Sequence, residues 1–312
     1  MKDVVIVAGP TAVGKTDAGV VLAKTFGGEV INGDALQVYQ GLNIGTAKIT
    51  TAEMKGVSHH LIDIKTPDDG FTAAEFQTRA QTLIHDLHAK QKLPIIVGGT
   101  GLYIKGITKN LSFRGTEADE GYRQELTKQA ETYGIEVLYE QLKLEAPELA
   151  KHIHPNNEHR IIRALEVAKN APEELPAFGE DVEPEPDYNP IVIGLTMERS
   201  KLYERINLRV DQMIESGLVE EVRRLLDEGY RYAPAMKAIG YKELVMYLDG
   251  ELTLTEAAEL VKKNTRRFAK RQLTWFRNKE EVVWIDVTDL PKAEVHERIV
   301  RTVQEKRNLP SN

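Results

Sequence analysis

A short apolar run, Val4-Val5-Ile6-Val7, stops at Gly9-Pro10 and leads through Gly14 into Lys15-Thr16. This is the spacing G-x-x-x-x-G-K-[ST] between a β-branched strand and a segment that reads as helix from Lys15 to Phe26. Few arrangements satisfy it. The strand must be buried and parallel, and the helix must start where the strand ends. The peptide between them, Gly9, Pro10, Thr11, Ala12, Val13, Gly14, Lys15 and Thr16, must curl so that successive N–H groups point at one anion. Lys15 adds a charge at the outer phosphates, and the Thr16 hydroxyl is a ligand for Mg²⁺. The loop specifies a diphosphate or longer chain, but not which one.

The β–loop–α alternation continues. Val30-Ile31-Asn32 reads as a second strand ending at Gly33-Asp34. Residues 72–91 read as a helix opened by a Thr72/Glu75 capping box, and LPIIVGGTG reads as a third strand running into glycines. This is an α/β chain: a P-loop parallel-sheet core with helices on both faces, whose chemistry belongs at the C-terminal strand ends. From about Arg114 to Lys169 the pattern is helical. An acidic, Pro-rich stretch, EELPAFGEDVEPEPDYNP, follows before IVIGL at 191–195 returns to the sheet. We therefore expect a core of 1–112 and 191–312 interrupted by an all-helical insertion at 113–190. Beyond residue 198, Ile206, Val210, Met213, Ile214, Leu218 and Val222 recur at helical spacing. Thr253 and Glu256 cap a long helix to about Arg277, and VVWIDV reads as a final edge strand.

Composition narrows the partners. Hydrophobic residues make up 41% and charged residues 29%, as in an ordinary globular protein, and no apolar run suits a membrane span. The absence of cysteine excludes disulfides, thiolate catalysis and Cys-based zinc sites; with no leader pattern at Met1, it suits the cytoplasm. The net charge of −7 speaks against nucleic acid only on average. KKNTRRFAKRQLTWFR, residues 262–277, carries Lys262, Lys263, Arg266, Arg267, Lys270, Arg271 and Arg277 and no acid. Interleaved with Phe268, Trp275 and Phe276, those cations suit an RNA surface, although a solvated face over core aromatics has the same pattern.

Other candidates have two readings each. Asp34, just past a strand end, suits a general base or a helix N-cap. Gln37 and Tyr39 offer an amide and a ring to a base, or are plain surface. Thr100, among the glycines of GGTGLY, is a hydrogen-bond donor to a ligand or an N-cap. Arg205 and Arg209 share a helix face, which fits a diphosphate or a solvated face paired with Glu204 or Glu198. His154 and His159 lack a third ligand at metal spacing, and Arg160 and Arg163 suit phosphate or solvent.

In combination and order, GPTAVGKT, DALQVYQGLNIGTAK, HHLID, VGGTGLY, HPNNEHRIIRALEV, AIGYKE and KRQLTWFR resemble the tRNA dimethylallyltransferases, also called tRNA isopentenyltransferases, along nearly the whole chain. The resemblance implies transfer of a dimethylallyl group from its diphosphate, with Mg²⁺, to N6 of the adenosine immediately 3′ of the anticodon, in tRNAs reading codons that begin with U. It implies that Asp34 takes the amine proton and Thr100 positions the amine. Residues 9–16 with Arg205 and Arg209 hold the diphosphate, and Thr16 the metal. The tRNA anticodon stem-loop meets Asp34, Ala35, Leu36, Gln37 and Thr100 at the base; Arg123, His159, Arg160 and Arg163 on the insertion; and Gly240, Tyr241, Lys270, Arg271, Gln272, Trp275 and Arg277. A bacterial-type, cytoplasmic monomer is expected. Ala35 departs from the family's usual Ser. The rivals are a P-loop small-molecule or nucleotide kinase and an RNA-binding protein that uses nucleotide as a switch.

Overall fold

The computed structural model describes residues 2–111, 119–170 and 185–307. Its elements run β1 (Lys2–Ala8), α1 (Lys15–Phe26), β2 (Glu29–Asn32), α2 (Thr51–Met54), β3 (His59–His60), α3 (Ala73–Ala89), β4 (Pro94–Val97) and α4 (Gly101–Lys109). Then come α5 (Glu120–Tyr133), α6 (Ile135–Glu145), α7 (Pro147–Ala150), α8 (Glu158–Asn170), β5 (Tyr188–Thr196), α9 (Arg199–Glu215) and α10 (Leu218–Asp227). The chain ends with α11 (Tyr241–Leu248), α12 (Leu254–Lys279), β6 (Val283–Asp286) and α13 (Lys292–Arg307). It divides into two compact units, one formed by residues up to Thr108 and from Pro186 onward, the other by Lys109–Glu185.

The first unit carries a six-stranded sheet in the order β3-β2-β4-β1-β5-β6, with every pair parallel. A parallel sheet must be covered on both faces, and the alternation along β1 shows how. Val5 and Val7 face a core that includes Leu22 of α1, Ile206 of α9 and Ile299 of α13. Val4, Ile6 and Ala8 face the other, with Phe76 and Ile84 of α3 and Ile104 of α4. A third core joins Val38 and Leu42, in the chain after β2, to α10 and α11. β5 starts earlier than IVIGL, because Tyr188 already pairs with Lys2. Pro190 is tolerated there since β6 pairs only from Ile193 onward, leaving one side of the strand open. The second unit is helical in its described residues, with Leu126, Leu138, Leu142, Ile161 and Leu165 forming its core. Residues 112–118, expected at the start of the insertion, and 171–184, most of the acidic stretch, lie outside the described residues.

Two local expectations are refined, and one helix start is added. The Thr72/Glu75 box is half made: Thr72 accepts the Glu75 N–H, but the Glu75 carboxylate pairs with Lys65 and Arg79 instead. A complete box forms at Thr50/Glu53, opening the one-turn α2. The periodic run from Ile206 to Val222 is two helices, since Gly217 at φ 97° ends one and opens the next.

Candidate active site

Three adjacent strands, β2, β4 and β1, end side by side and release the loops that carry the candidate residues. Glycine is required where those loops touch. A Cβ on Gly98 would lie 2.1 Å from the Gly33 carbonyl oxygen, and one on Gly9 2.5 Å from that of Leu195. Gln272 of α12 ties two of the loops together: the Thr11 N–H donates to its Oε1 at 3.0 Å, and its Nε2 donates to the Gly99 carbonyl at 2.9 Å. Gln272 is only 5% exposed, and its amide holds the phosphate loop against the GGTG loop.

The loop itself bends as an anion cradle requires. Ala12 and Gly14 have φ of 64° and 106°, and α1 begins immediately after with its first N–H groups unspent. The Lys15 ammonium donates to the Pro10 carbonyl at 2.7 Å. Burial pushes its pKa down to about 8; Asp34 opposes this and Arg209 adds to it. Burial likewise holds Arg209 below the ordinary guanidinium range, followed by Arg205, with Glu53 opposing. These shifts place Lys15, Asp34, Arg209 and Arg205 in one electrostatic neighbourhood. Neither arginine has an ion-pair partner among the described residues, and Glu198 is occupied in capping its own helix through Ser200. Three cations against the carboxylates of Asp34 and Glu53 leave an excess of positive charge that suits an anion.

Asp34 is built in firmly. Asn32, 4% exposed, donates from Nδ2 to the carbonyls of Asp34 (3.1 Å) and Leu61 (3.0 Å), and its Oδ1 accepts the Asp34 N–H at 3.1 Å. The Asp34 carboxylate accepts the Leu36 N–H at 2.9 Å through one oxygen. Thr100 accepts the Ala35 N–H at 3.2 Å, so its own hydroxyl proton is not used in that bond. Leu36 and Gln37 follow, half-buried. Among the described residues no group of three His, Asp or Glu side chains could hold a metal. Thr16, exposed in the first turn of α1, offers one hydroxyl. Mg²⁺ commonly takes one or two protein oxygens and fills its shell with phosphate oxygens and water, so these residues fit an ion that arrives with a diphosphate.

The basic helix is partly self-neutralised. Lys262 pairs with Asp211 and Glu259, and Arg266 donates to Asn207. Arg267, Lys270 and Arg271 have no acidic partner among the described residues and, with Thr274, Trp275 and Asn278, line a pocket of about 490 Å³. The Trp275 ring packs on Gly101, and its buried indole N–H has no partner among the described residues. Arg277 lies over the Trp284 ring, and Phe276 is core. Gly240 is the N-cap of α11. Tyr241 is fully buried and donates its hydroxyl to Glu221. On the insertion, Arg123 and Arg163 both pair with the buried Glu166, while His159 and Arg160 are exposed. Desolvation pushes the Glu166 carboxyl up, but Arg123, Arg163 and the Asp119 N–H together hold it below the usual range. Asn32, Glu166 and Glu221 were missed by sequence reasoning, because their burial and the partners Leu61, Arg123 and Tyr241 are set by the fold.

A family profile described as IPP transferase matches residues 37–279. The tRNA dimethylallyltransferase of Halalkalibacterium halodurans is 50% identical over 308 residues, 97% of this chain and 98% of that one. The crystal structure of the full-length tRNA isopentenylpyrophosphate transferase from Bacillus halodurans aligns with a TM-score of 0.73 at 48% identity, over 98% of each chain. A eukaryotic dimethylallyltransferase solved acting on tRNA aligns with a TM-score of 0.78 at 26% identity, over 99% of this chain and 81% of that one.

Proposed function

The chain belongs to the IPP transferase family, and from that premise we propose that it transfers a dimethylallyl group from dimethylallyl diphosphate to N6 of the adenosine immediately 3′ of the anticodon, in tRNAs reading codons that begin with U. The observation that carries the reading is the excess of positive charge at the phosphate loop, where Lys15, Arg209 and Arg205 outnumber the carboxylates of Asp34 and Glu53.

The chemistry follows from what each group can do. The N6 lone pair forms a bond to C1 of the isoprenoid while the C1–oxygen bond breaks, and the diphosphate leaves with that electron pair. The loop N–H groups, Lys15, Arg205 and Arg209 hold the departing anion, so charge is met by preorganised donors as it develops. Thr16 would hold a Mg²⁺ ion that arrives with the diphosphate, and the ion would supply further positive charge for the leaving group. The free carboxylate oxygen of Asp34 takes the N6 proton, which becomes acidic only as the amine alkylates. Thr100, its oxygen already engaged by Ala35, directs its proton to the incoming base. To reach these groups the adenine must leave its stack. Arg267, Lys270 and Arg271, around Trp275, suit the RNA backbone and a splayed base. Arg123, Arg160 and Arg163 suit the stem, the first and last being aimed by Glu166.

The test is a transfer assay with two tubes, each holding protein, Mg²⁺ and unmodified tRNA. One contains labelled dimethylallyl diphosphate, the other γ-labelled ATP. Label entering RNA only in the first supports the reading. ATP turnover with no isoprenoid transfer would move the chain to the kinase class.

A further inference from the structure

Glu221 of α10 is 6% exposed, and its carboxylate takes four donors. Oε2 accepts the N–H groups of Asn43 (3.0 Å) and Ile44 (2.8 Å); Oε1 accepts the Gly45 N–H (3.1 Å) and the Tyr241 hydroxyl (2.7 Å). The Tyr241 ring sits so close to Gly45 that a Cβ there would lie 2.6 Å from it. From the other side, Lys48 donates to the Tyr39 carbonyl at 2.7 Å and to Asn43 Oδ1 at 2.9 Å, and the Thr46 hydroxyl bonds the Leu42 carbonyl. Burying a carboxylate is costly, and an apolar contact would serve to close a loop. What a carboxylate adds is direction: three successive N–H groups aimed at one point fix the peptide planes around them.

The peptide so fixed ends at Thr46, whose carbonyl accepts from Gln37 Nε2 at 3.2 Å. A carbonyl can only accept, so the amide cannot be flipped. Its NH₂ must face Thr46, and its Oε1, which has no partner among the described residues, must face away. Gln37 lies three residues after Asp34 in the same loop.

We propose that Glu221, together with Tyr241, is a positioning residue for base recognition: by fixing the Thr46 carbonyl it orients the Gln37 amide to present an acceptor and its second N–H to an adenine of the RNA loop. Adenine is the base whose edge pairs a donor with an adjacent acceptor in the matching order. The inference rests on the function proposed above.

The experiment measures kcat and KM for dimethylallyl transfer to anticodon stem-loops carrying adenine or guanine beside the target adenosine, for wild type, Glu221→Gln, Tyr241→Phe, Gln37→Ala and the Glu221→Gln/Gln37→Ala pair. A glutamine has one acceptor oxygen and would turn an NH₂ toward the backbone donors. Glu221→Gln should lower the adenine preference about tenfold, in line with the removal of one bidentate hydrogen-bond pair. It should raise KM for RNA and leave KM for dimethylallyl diphosphate within about twofold of wild type. Gln37→Ala should lose the same preference, and the pair should lose no more than Gln37→Ala alone. Tyr241→Phe removes one donor and should shift the preference in the same direction, so the question stays answerable if Glu221→Gln fails to fold. An unchanged preference in the folded variants, or losses that multiply in the pair, would overturn the inference while leaving the transferase reading intact. No transfer by wild type would overturn that reading, and the inference with it.

Discussion

Lys15 should be half-deprotonated near pH 8 in the free protein and fully charged once a diphosphate is seated. Burial lowers its pKa from 10.5 to about 8, against the pull of Asp34. A bound diphosphate restores at least the ordinary value, because it places opposite charge on the ammonium. The gap of about 2.5 pH units corresponds to roughly 3 kcal/mol, or on the order of 300-fold in affinity. At pH 9 the free protein keeps about one tenth of its Lys15 protons, so binding should take up about 0.9 proton there, against about 0.1 at pH 7. Titration calorimetry with inorganic diphosphate, in buffers of different ionisation enthalpy, reads that uptake directly. Lys15→Met supplies the baseline, since the ligand's own ionisation is common to both proteins. The difference between the two affinities should be full below pH 8 and shrink about tenfold per pH unit above it. The sign for stability is opposite. Between pH 8 and 10.5 the unfolded chain binds more protons at this lysine, so its destabilisation, complete below pH 8, is relieved as pH rises through that window. Equal proton uptake at pH 7 and 9, after subtracting the Lys15→Met baseline, would refute the idea that Lys15 is desolvated while it waits for an anion.

Further tests follow from the same geometry. Asp34→Asn should lower kcat by about 10²–10⁴-fold in single-turnover transfer, with RNA affinity by filter binding near wild type. Asn32→Ala removes three hydrogen bonds that fix Asp34 and Leu61; it should lower kcat about tenfold at unchanged KM for dimethylallyl diphosphate, and lower stability by about 1–3 kcal/mol in urea denaturation. Replacing Arg267, Lys270 and Arg271 by alanine should raise KM for RNA. It should also flatten the dependence of log K on log[salt] by about one unit for each phosphate no longer neutralised, with diphosphate binding unchanged.

What the sequence revealed was local or periodic. The strand, glycines and Lys15 of the phosphate loop lie within a few residues of each other, so their chemistry is written in their order. Arg205 and Arg209 are legible as one helix face for the same reason, though whether Glu198 or Glu204 neutralised them was a question only the fold could answer. The Thr253/Glu256 box held because both halves lie in one turn. The Thr72/Glu75 box half failed because Lys65 and Arg79 compete for the carboxylate, and Lys65 is brought there by tertiary structure. The same limit explains Gln272 and Tyr241. Their motifs marked important stretches, but their side chains turn inward, toward Thr11 and Gly99 in one case and Glu221 in the other. Glu221 itself follows Glu220 on an amphipathic helix, and nothing in its neighbours distinguishes the buried acid from the exposed one.

The most direct test of the central claim is to quantify both products in one reaction. Wild-type protein, dimethylallyl diphosphate, Mg²⁺ and an unmodified tRNA reading codons that begin with U are incubated together; released diphosphate is counted, and the RNA is digested for nucleoside mass spectrometry. One diphosphate should be released per N6-dimethylallyladenosine formed, at the single position 3′ of the anticodon. Diphosphate release without modified nucleoside, or modification at any other atom or position, would contradict the claim.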